Sequence, residues 1–297
     1  MTATQTEMTH TSAPGFDIKP PVEALTILAK AQAEAAQAVQ EAVPDIADAA
    51  QLAAACLGRG GRLIYAAAGS SGLMALADAL ELPGTYGISR DRIKVLLAGG
   101  LDALVSMEGA PEDDADAARA QVAEINVGPD DCLIALSASG YTPYPMAAVE
   151  AARAAGAKTV GISNNAGAEL SKRVDVAICL PTPPEVIAGS TRMGAGTAQK
   201  IALNMISTLM AVHLGHVHDG FMVNLIADNM KLRGRARRIV MAVSGVGGDA
   251  ATDALEQAGG SVKTAILLAA GADKFQAQRL LTEHDGKLRP SLEALGR

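Results

Sequence analysis

The chain has 297 residues, 49% of them hydrophobic, with three Phe, four Tyr and no Trp, so it can bury a large core built mainly from Ala, Val, Leu, Ile and Met. A formal charge of −7 gives no general attraction to nucleic acid or anionic lipid, and so few aromatics argue against base stacking. No uncharged apolar stretch reaches membrane-spanning length and no basic segment followed by an apolar run opens the chain, which predicts a cytoplasmic protein engaging neither membrane nor nucleic acid.

Residues 1–18 are polar and rich in Thr, Ser and Pro, and read as an arm that is ordered only when something binds it. Residues 19–58 carry apolar positions at helical spacing from Val22 to Leu57, broken at Pro44, which predicts two helices. Five short apolar runs follow, Arg62 to Gly69, Ile93 to Gly100, Asp131 to Gly140, Ala157 to Asn164 and Val174 to Pro181, with helix-like segments between them. That alternation predicts an α/β fold with a five-stranded, doubly wound parallel sheet, whose ligands bind beyond the carboxyl ends of the strands. The three cysteines, Cys56, Cys132 and Cys179, stand singly in apolar stretches and read as buried thiols of a reducing compartment.

A Gly/Ser/Thr loop after Pro181 leads to a long apolar helix from about Ala195 to Leu214. The basic run from Lys231 to Arg238 has the spacing of a solvated helix face. The rest is punctuated by GVGGD, AGGS and AAGAD, which suggests a small three-helix module. Residues 59–218 are thus expected to form the sheet domain, and residues 219–297 a linking helix and the C-terminal module.

Three loops stand where chemistry is expected. AAAGSSG (Ala66 to Gly72) runs straight into a helical pattern, and its glycines, helix N-terminus and the hydroxyls of Ser70 and Ser71 suit an anion, although Ser/Gly turns are also ordinary helix caps. SASGYTP (Ser137 to Pro143) repeats that chemistry with Ser137, Ser139 and Thr142, and two such loops on neighbouring strands can converge on one phosphate. In GSTRMGAGTAQK, Ser190, Thr191 and Thr197 serve equally well as ligand contacts or as a capping turn.

Glu81, in DALELPGTYG, lies at the end of a helix in an apolar setting, where partial burial would raise its pKa and suit a proton donor; a surface glutamate is the alternative. Glu108, Glu112, Asp113 and Asp114 crowd around Pro111, either as acids offsetting a helix dipole or with one of them as a general base. His213, His216 and His218 beside Asp219 are too loosely spaced for a metal site and read as helix-terminal histidines.

Taken together, IYAAAGSSG, DALELPGTYG, EGAPEDD, ASGYTPY, EVIAGSTRMGAGTAQKIALNMIST and RARRIVMAVSGV resemble the N-acetylmuramic acid 6-phosphate etherases, a family of the sugar isomerase (SIS) fold. The resemblance runs from about Ala24 to Leu292. It implies a lyase of peptidoglycan recycling and amino sugar catabolism that uses neither cofactor nor metal and converts its phosphorylated amino sugar to N-acetylglucosamine 6-phosphate and D-lactate. By the same resemblance Glu81 matches the acid that protonates the departing ether oxygen and Glu112 the second catalytic glutamate. Ser70, Ser71, Ser137, Ser139 and Thr142 fall where such domains hold the sugar phosphate, with Ser190 and Thr191 as further substrate contacts. A homodimer is implied, because sites in this family lie near a subunit interface. The family usually carries Arg where this chain has Leu73 and Tyr141, and Lys where it has Gly194. A phosphosugar-sensing regulator and an aldose-ketose phosphate isomerase are the alternatives the same loops allow.

Overall fold

Prolines open both N-terminal helices, at a position where the missing N–H breaks no intrahelical bond. In the computed structural model, which describes residues 4–107 and 109–297, these are α1 (Pro21–Gln37) and α2 (Val43–Gly58), joined by a short 3-10 segment. In α2, Ile46, Ala49, Ala50 and Ala53 recur at helical spacing on its buried side. The strands and helices then alternate: β1 (Leu63–Ala67), α3 (Gly69–Tyr86), β2 (Ile93–Leu97), α4 (Gly100–Ser106), α5 (Ala115–Glu124), β3 (Cys132–Leu136), α6 (Pro143–Ala154), β4 (Lys158–Ser163) and β5 (Val176–Cys179). α7 (Gly194–His213) closes the series.

The five strands form one parallel sheet in the order β2-β1-β3-β4-β5. β1 and β3 are buried along their whole length, as expected of strands covered on both faces. On one face Ile64, Ala66, Leu133 and Ala135 pack against Ala118 and Val122 of α5 and Tyr144, Ala148 and Ala152 of α6. Alanine on both sides of this contact lets helix and sheet approach closely. α2 contacts the sheet at β1, β3, β4 and β5. Register pairs Ala67 with Leu136, so the loops after β1 and β3 leave the sheet at the same level.

One polar group is built into this unit. Asp78 of α3 is 5% exposed, and its carboxylate accepts from Tyr65 Oη of β1 (2.7 Å), Asn204 Nδ2 (2.9 Å) and Ser207 Oγ (3.0 Å) of α7. Burial and the neighbouring Asp78 hold the Tyr65 phenol well above its ordinary pKa, so it remains a donor. Two cysteines far apart in sequence also interact: the neighbouring Cys132 thiol draws the Cys56 thiol below its ordinary value.

The contacts divide the chain into two units, Met1–Ala79 with Asp91–Ser207, and Leu80–Arg90 with Thr208–Arg297. In the second, a short hairpin of β6 (Val217–His218) and β7 (Phe221–Met222) precedes α8 (Met230–Ser244), α9 (Gly248–Gln257), α10 (Val262–Ala269), α11 (Lys274–Glu283) and α12 (Leu288–Glu293). Asn229, Ser261 and Asp273 cap α8, α10 and α11 by accepting the N–H groups of Leu232, Thr264 and Gln276. Lys231, Arg233, Arg237 and Arg238 are exposed on α8, whose Ala236, Ile239 and Val240 are buried, the solvated face expected from their spacing. The break at Asp285 and Gly286 adds the short α12 beyond the three helices marked by the earlier glycine clusters. Lys263 is buried and donates from Nζ to the carbonyl of Gly286 (2.7 Å), with burial lowering its pKa to about 8. Among the described residues no helix is long and apolar enough to cross a membrane.

Tyr65→Phe removes one donor to the buried Asp78 carboxylate and should lower stability by about 1–3 kcal/mol, read as a lower urea midpoint. An unchanged midpoint would show that the bond adds nothing to stability.

Candidate active site

The parallel sheet presents the loops after β1 and β3 side by side, and both line one cavity of about 210 Å³. From the first come Ser70 and Ser71, in the opening turn of α3, where the main-chain N–H groups of a long helix have no partners within the helix. From the second come Ser137, Ser139 and Thr142. Their hydroxyls form one network: Ser137 Oγ lies 2.8 Å from Thr142 Oγ1 and 3.3 Å from Ser139 Oγ. The N–H of Gly140 donates to Ser137 Oγ (3.0 Å) and that of Tyr141 to Ser139 Oγ (3.1 Å). An anion entering the cavity would meet hydroxyls able to turn their protons toward it.

Glycine is required at two points. At Gly140 (φ +75°) a Cβ would lie 2.3 Å from that of Ala168, so a larger residue would displace the hydroxyl loop. At Gly69 (φ +50°) a Cβ would lie 2.5 Å from Glu112 Oε1. The Glu112 carboxyl therefore sits directly over the start of α3, in space that only a glycine leaves free.

Glu112 stands in the 3-10 turn Ala110–Asp113 and lines the same cavity. Burial pushes its carboxyl above the ordinary glutamate value, and neighbouring Asp113 adds to the rise. Asp114 is committed elsewhere, capping α5 by accepting the Ala117 N–H (2.8 Å); Glu108 lies outside the described residues. This crowded acidic run thus separates into a helix cap and a half-buried carboxyl at the cavity.

The third loop contributes Gly189 and Thr191. Ser190 is not among the lining residues; its N–H and carbonyl close the turn before α7 through Ile187 and Met193. The start of α7 is satisfied by the buried Glu185, which accepts from the N–H groups of Gly194 (3.0 Å) and Ala195 (2.9 Å). Of the two readings of Glu81, the structure shows the surface glutamate. Ala75, Asp78, Ala79 and Leu82 occupy the buried side of α3, which leaves Glu81 exposed on the helix and outside the cavity lining.

Two lining residues, Thr6 and Glu7, were not singled out from the sequence. Their segment carries no loop motif, and Thr6 is placed by Asn165, 159 residues away. The lining contains two carboxylates, Glu7 and Glu112, and no Lys, Arg or His. Leu73 and Tyr141 are exposed by 41% and 49%, and neither lines the cavity. Among the described residues no group of three or more His, Cys, Asp or Glu is arranged to hold a metal.

Comparison with known proteins places the chain among its relatives. The SIS domain model matches residues 28–164. An N-acetylmuramic acid 6-phosphate etherase of Deinococcus radiodurans is 45% identical over 98% of this chain and 97% of its own length. One from Mycolicibacterium smegmatis is 40% identical over 99% of each. A solved phosphoheptose isomerase from Francisella tularensis shares the fold at TM-score 0.50 and 20% identity, covering 66% of this chain and 98% of that one. With identity at this level sustained along the whole chain, the protein belongs to the N-acetylmuramic acid 6-phosphate etherase family.

Proposed function

We propose that this protein is a lyase that cleaves the C3 D-lactyl ether of N-acetylmuramic acid 6-phosphate, giving N-acetylglucosamine 6-phosphate and D-lactate by elimination and hydration. The observation that carries this function is the Glu112 carboxyl, raised above its ordinary value, in one cavity with the hydroxyls of the loops after β1 and β3. Nearly full-length identity to etherases leaves the regulator and isomerase alternatives without comparable support.

In this mechanism the phosphate is held by the hydroxyls of Ser70, Ser71, Ser137, Ser139, Thr142 and Thr191 and by the N–H groups opening α3. Opening of the sugar ring places C2 next to an aldehyde and acidifies its proton. Ionised Glu112 takes that proton, the electron pair forms the C2–C3 double bond, and the C3–O bond breaks as Glu81 protonates the departing lactate oxygen. Water then adds at C3, giving a proton to Glu81, while Glu112 returns its proton to C2. One water is consumed and both carboxyls end as they began.

The acting species is proposed to be a cytoplasmic homodimer in peptidoglycan recycling. Leu73, Ala77 and Leu80 recur on the exposed side of α3 that also carries Glu81. A second copy covering this stripe would shield Glu81 from bulk water.

Purified protein given N-acetylmuramic acid 6-phosphate should release D-lactate; absence of release at high enzyme concentration, with simpler hexose phosphates still bound, rejects the etherase function. Glu81→Gln and Glu112→Gln should each lower kcat about 10²- to 10⁴-fold without altering thermal unfolding. Gly69→Ala should cost about 10²-fold in kcat, because the new methyl group displaces the Glu112 carboxyl; full activity would show that Glu112 does not need this position.

Because Glu112 acts as a base, kcat/KM should rise with pH along a limb that lies above the ordinary value of 4.5. Asp113→Asn removes a nearby negative charge and should move that limb to lower pH; a shift in the opposite direction, or none, assigns the limb to another group.

A further inference from the structure

The cavity wall includes a piece of chain that carries no loop motif, the short turn Gln5–Glu7. Thr6 is 3% exposed, and its N–H donates to Asn165 Oδ1 (3.2 Å) while Asn165 Nδ2 donates back to Thr6 Oγ1 (3.0 Å). The same Nδ2 group donates to the carbonyls of Ala138 (3.0 Å) and Ser139 (3.2 Å). One buried amide therefore fastens the N-terminal turn to the loop that carries the hydroxyl network.

Held in this way, Glu7 lines the cavity together with Ser70, Ser139, Thr191 and Glu112. Gly189 (φ +75°) of the facing loop lies beside it, at a distance where a Cβ would be 3.4 Å from Glu7 Oε2, an ordinary van der Waals contact. Among the described residues, no side chain hydrogen-bonds to or forms an ion pair with that carboxylate. It is an acceptor without a donor, on a site whose proposed ligand has both anionic groups and hydroxyl and amide donors.

We infer that Glu7 is a specificity-determining residue, whose carboxylate accepts hydrogen bonds from the hydroxyl or acetamido donors of the sugar and repels its phosphate, so that the phosphate enters only at the hydroxyl network. Asn165 and Thr6 are positioning residues that act through it. This rests on the cavity being the phosphosugar site. A carboxylate facing a phosphate would leave two acceptors opposed with no proton between them, whereas a sugar donor forms a charge-assisted bond. The discrimination thus comes from a repulsive element and an attractive one in the same side chain.

Calorimetric titration of the full chain with N-acetylglucosamine 6-phosphate, and separately with inorganic phosphate, tests the assignment. Glu7→Gln keeps the shape and removes the charge; it should weaken the sugar phosphate about tenfold, equivalent to about 1.4 kcal/mol, while inorganic phosphate binds as well as before or better. Thr6→Val should shift the balance the same way to a smaller degree, with Thr6→Ser restoring it. Sugar phosphate weakened less than twofold by Glu7→Gln, or both ligands weakened equally, overturns the specificity role. If the wild-type chain binds neither ligand, the phosphosugar site itself is wrong, and this inference falls with it.

Discussion

A single buried carboxylate ties together the elements on which the cavity depends. Asp78 gathers a tyrosine hydroxyl from β1 and an amide and a hydroxyl from α7. The helix that carries it begins at Gly69, so the same contact that satisfies a buried charge also fixes where the first turn of α3 meets the sheet. In a low-dielectric interior such a group is costly unless each acceptor is paired, and once paired it allows little choice of arrangement. The other buried side chains of α3 and α7 near it are mostly aliphatic and alanine-rich, among them Ala75, Ala79, Ala198, Ala202, Leu203 and Ile206, which favours close approach but does not by itself select one helix rotation over another.

With α3 placed, the chemistry follows from the sheet. β1 and β3 are neighbours in register, so two hydroxyl-bearing loops open onto one space instead of two. The space is polar without being cationic: its anion-binding capacity lies in hydroxyls, main-chain N–H groups and a helix terminus, and its fixed charges are carboxylates. In the proposed function such a site would hold the phosphate by directed hydrogen bonds more than by charge. The positions where the family usually carries Arg are occupied by the exposed Leu73 and Tyr141. At Gly194 a Cβ would lie 3.0 Å from that of Ala35 and 3.1 Å from Glu185 Oε2, and the main-chain N–H instead donates to the buried Glu185. The cost of confining a carboxylate is used productively at Glu112, where burial and Asp113 raise the pKa of a group proposed to take a proton.

Much of this was legible in the amino-acid order because it rests on local rules. The strand runs, the prolines that open α1, α2 and α6, and the Ser/Gly loops each carry their signal within a few residues. What was not legible depends on distant partners or on the rotation of a helix. Glu81 lies in an apolar stretch of sequence, yet α3 turns Ala75, Asp78, Ala79 and Leu82 inward and Glu81 outward. Ser190 and Thr191 are adjacent and chemically alike, and only the turn before α7 sends one to the cavity. Cys56 and Cys132 stand singly in the chain and meet because α2 returns its last turn to the start of the sheet, where Gly61 N–H bonds the Cys56 carbonyl and Cys132 N–H the Arg62 carbonyl.

The sequence by itself determined the fold class, the five parallel strands and the loops that carry hydroxyls, since periodicity, turn residues and helix starts are properties of neighbouring residues. Only the tertiary structure decided which acid of the crowded run around Pro111 reaches the cavity, that Glu81 is exposed on its helix, and that Thr6 and Glu7 form part of the wall. Those outcomes depend on hydrogen bonds and burial between segments up to 159 residues apart, and no local pattern encodes which partners will meet once the sheet has closed.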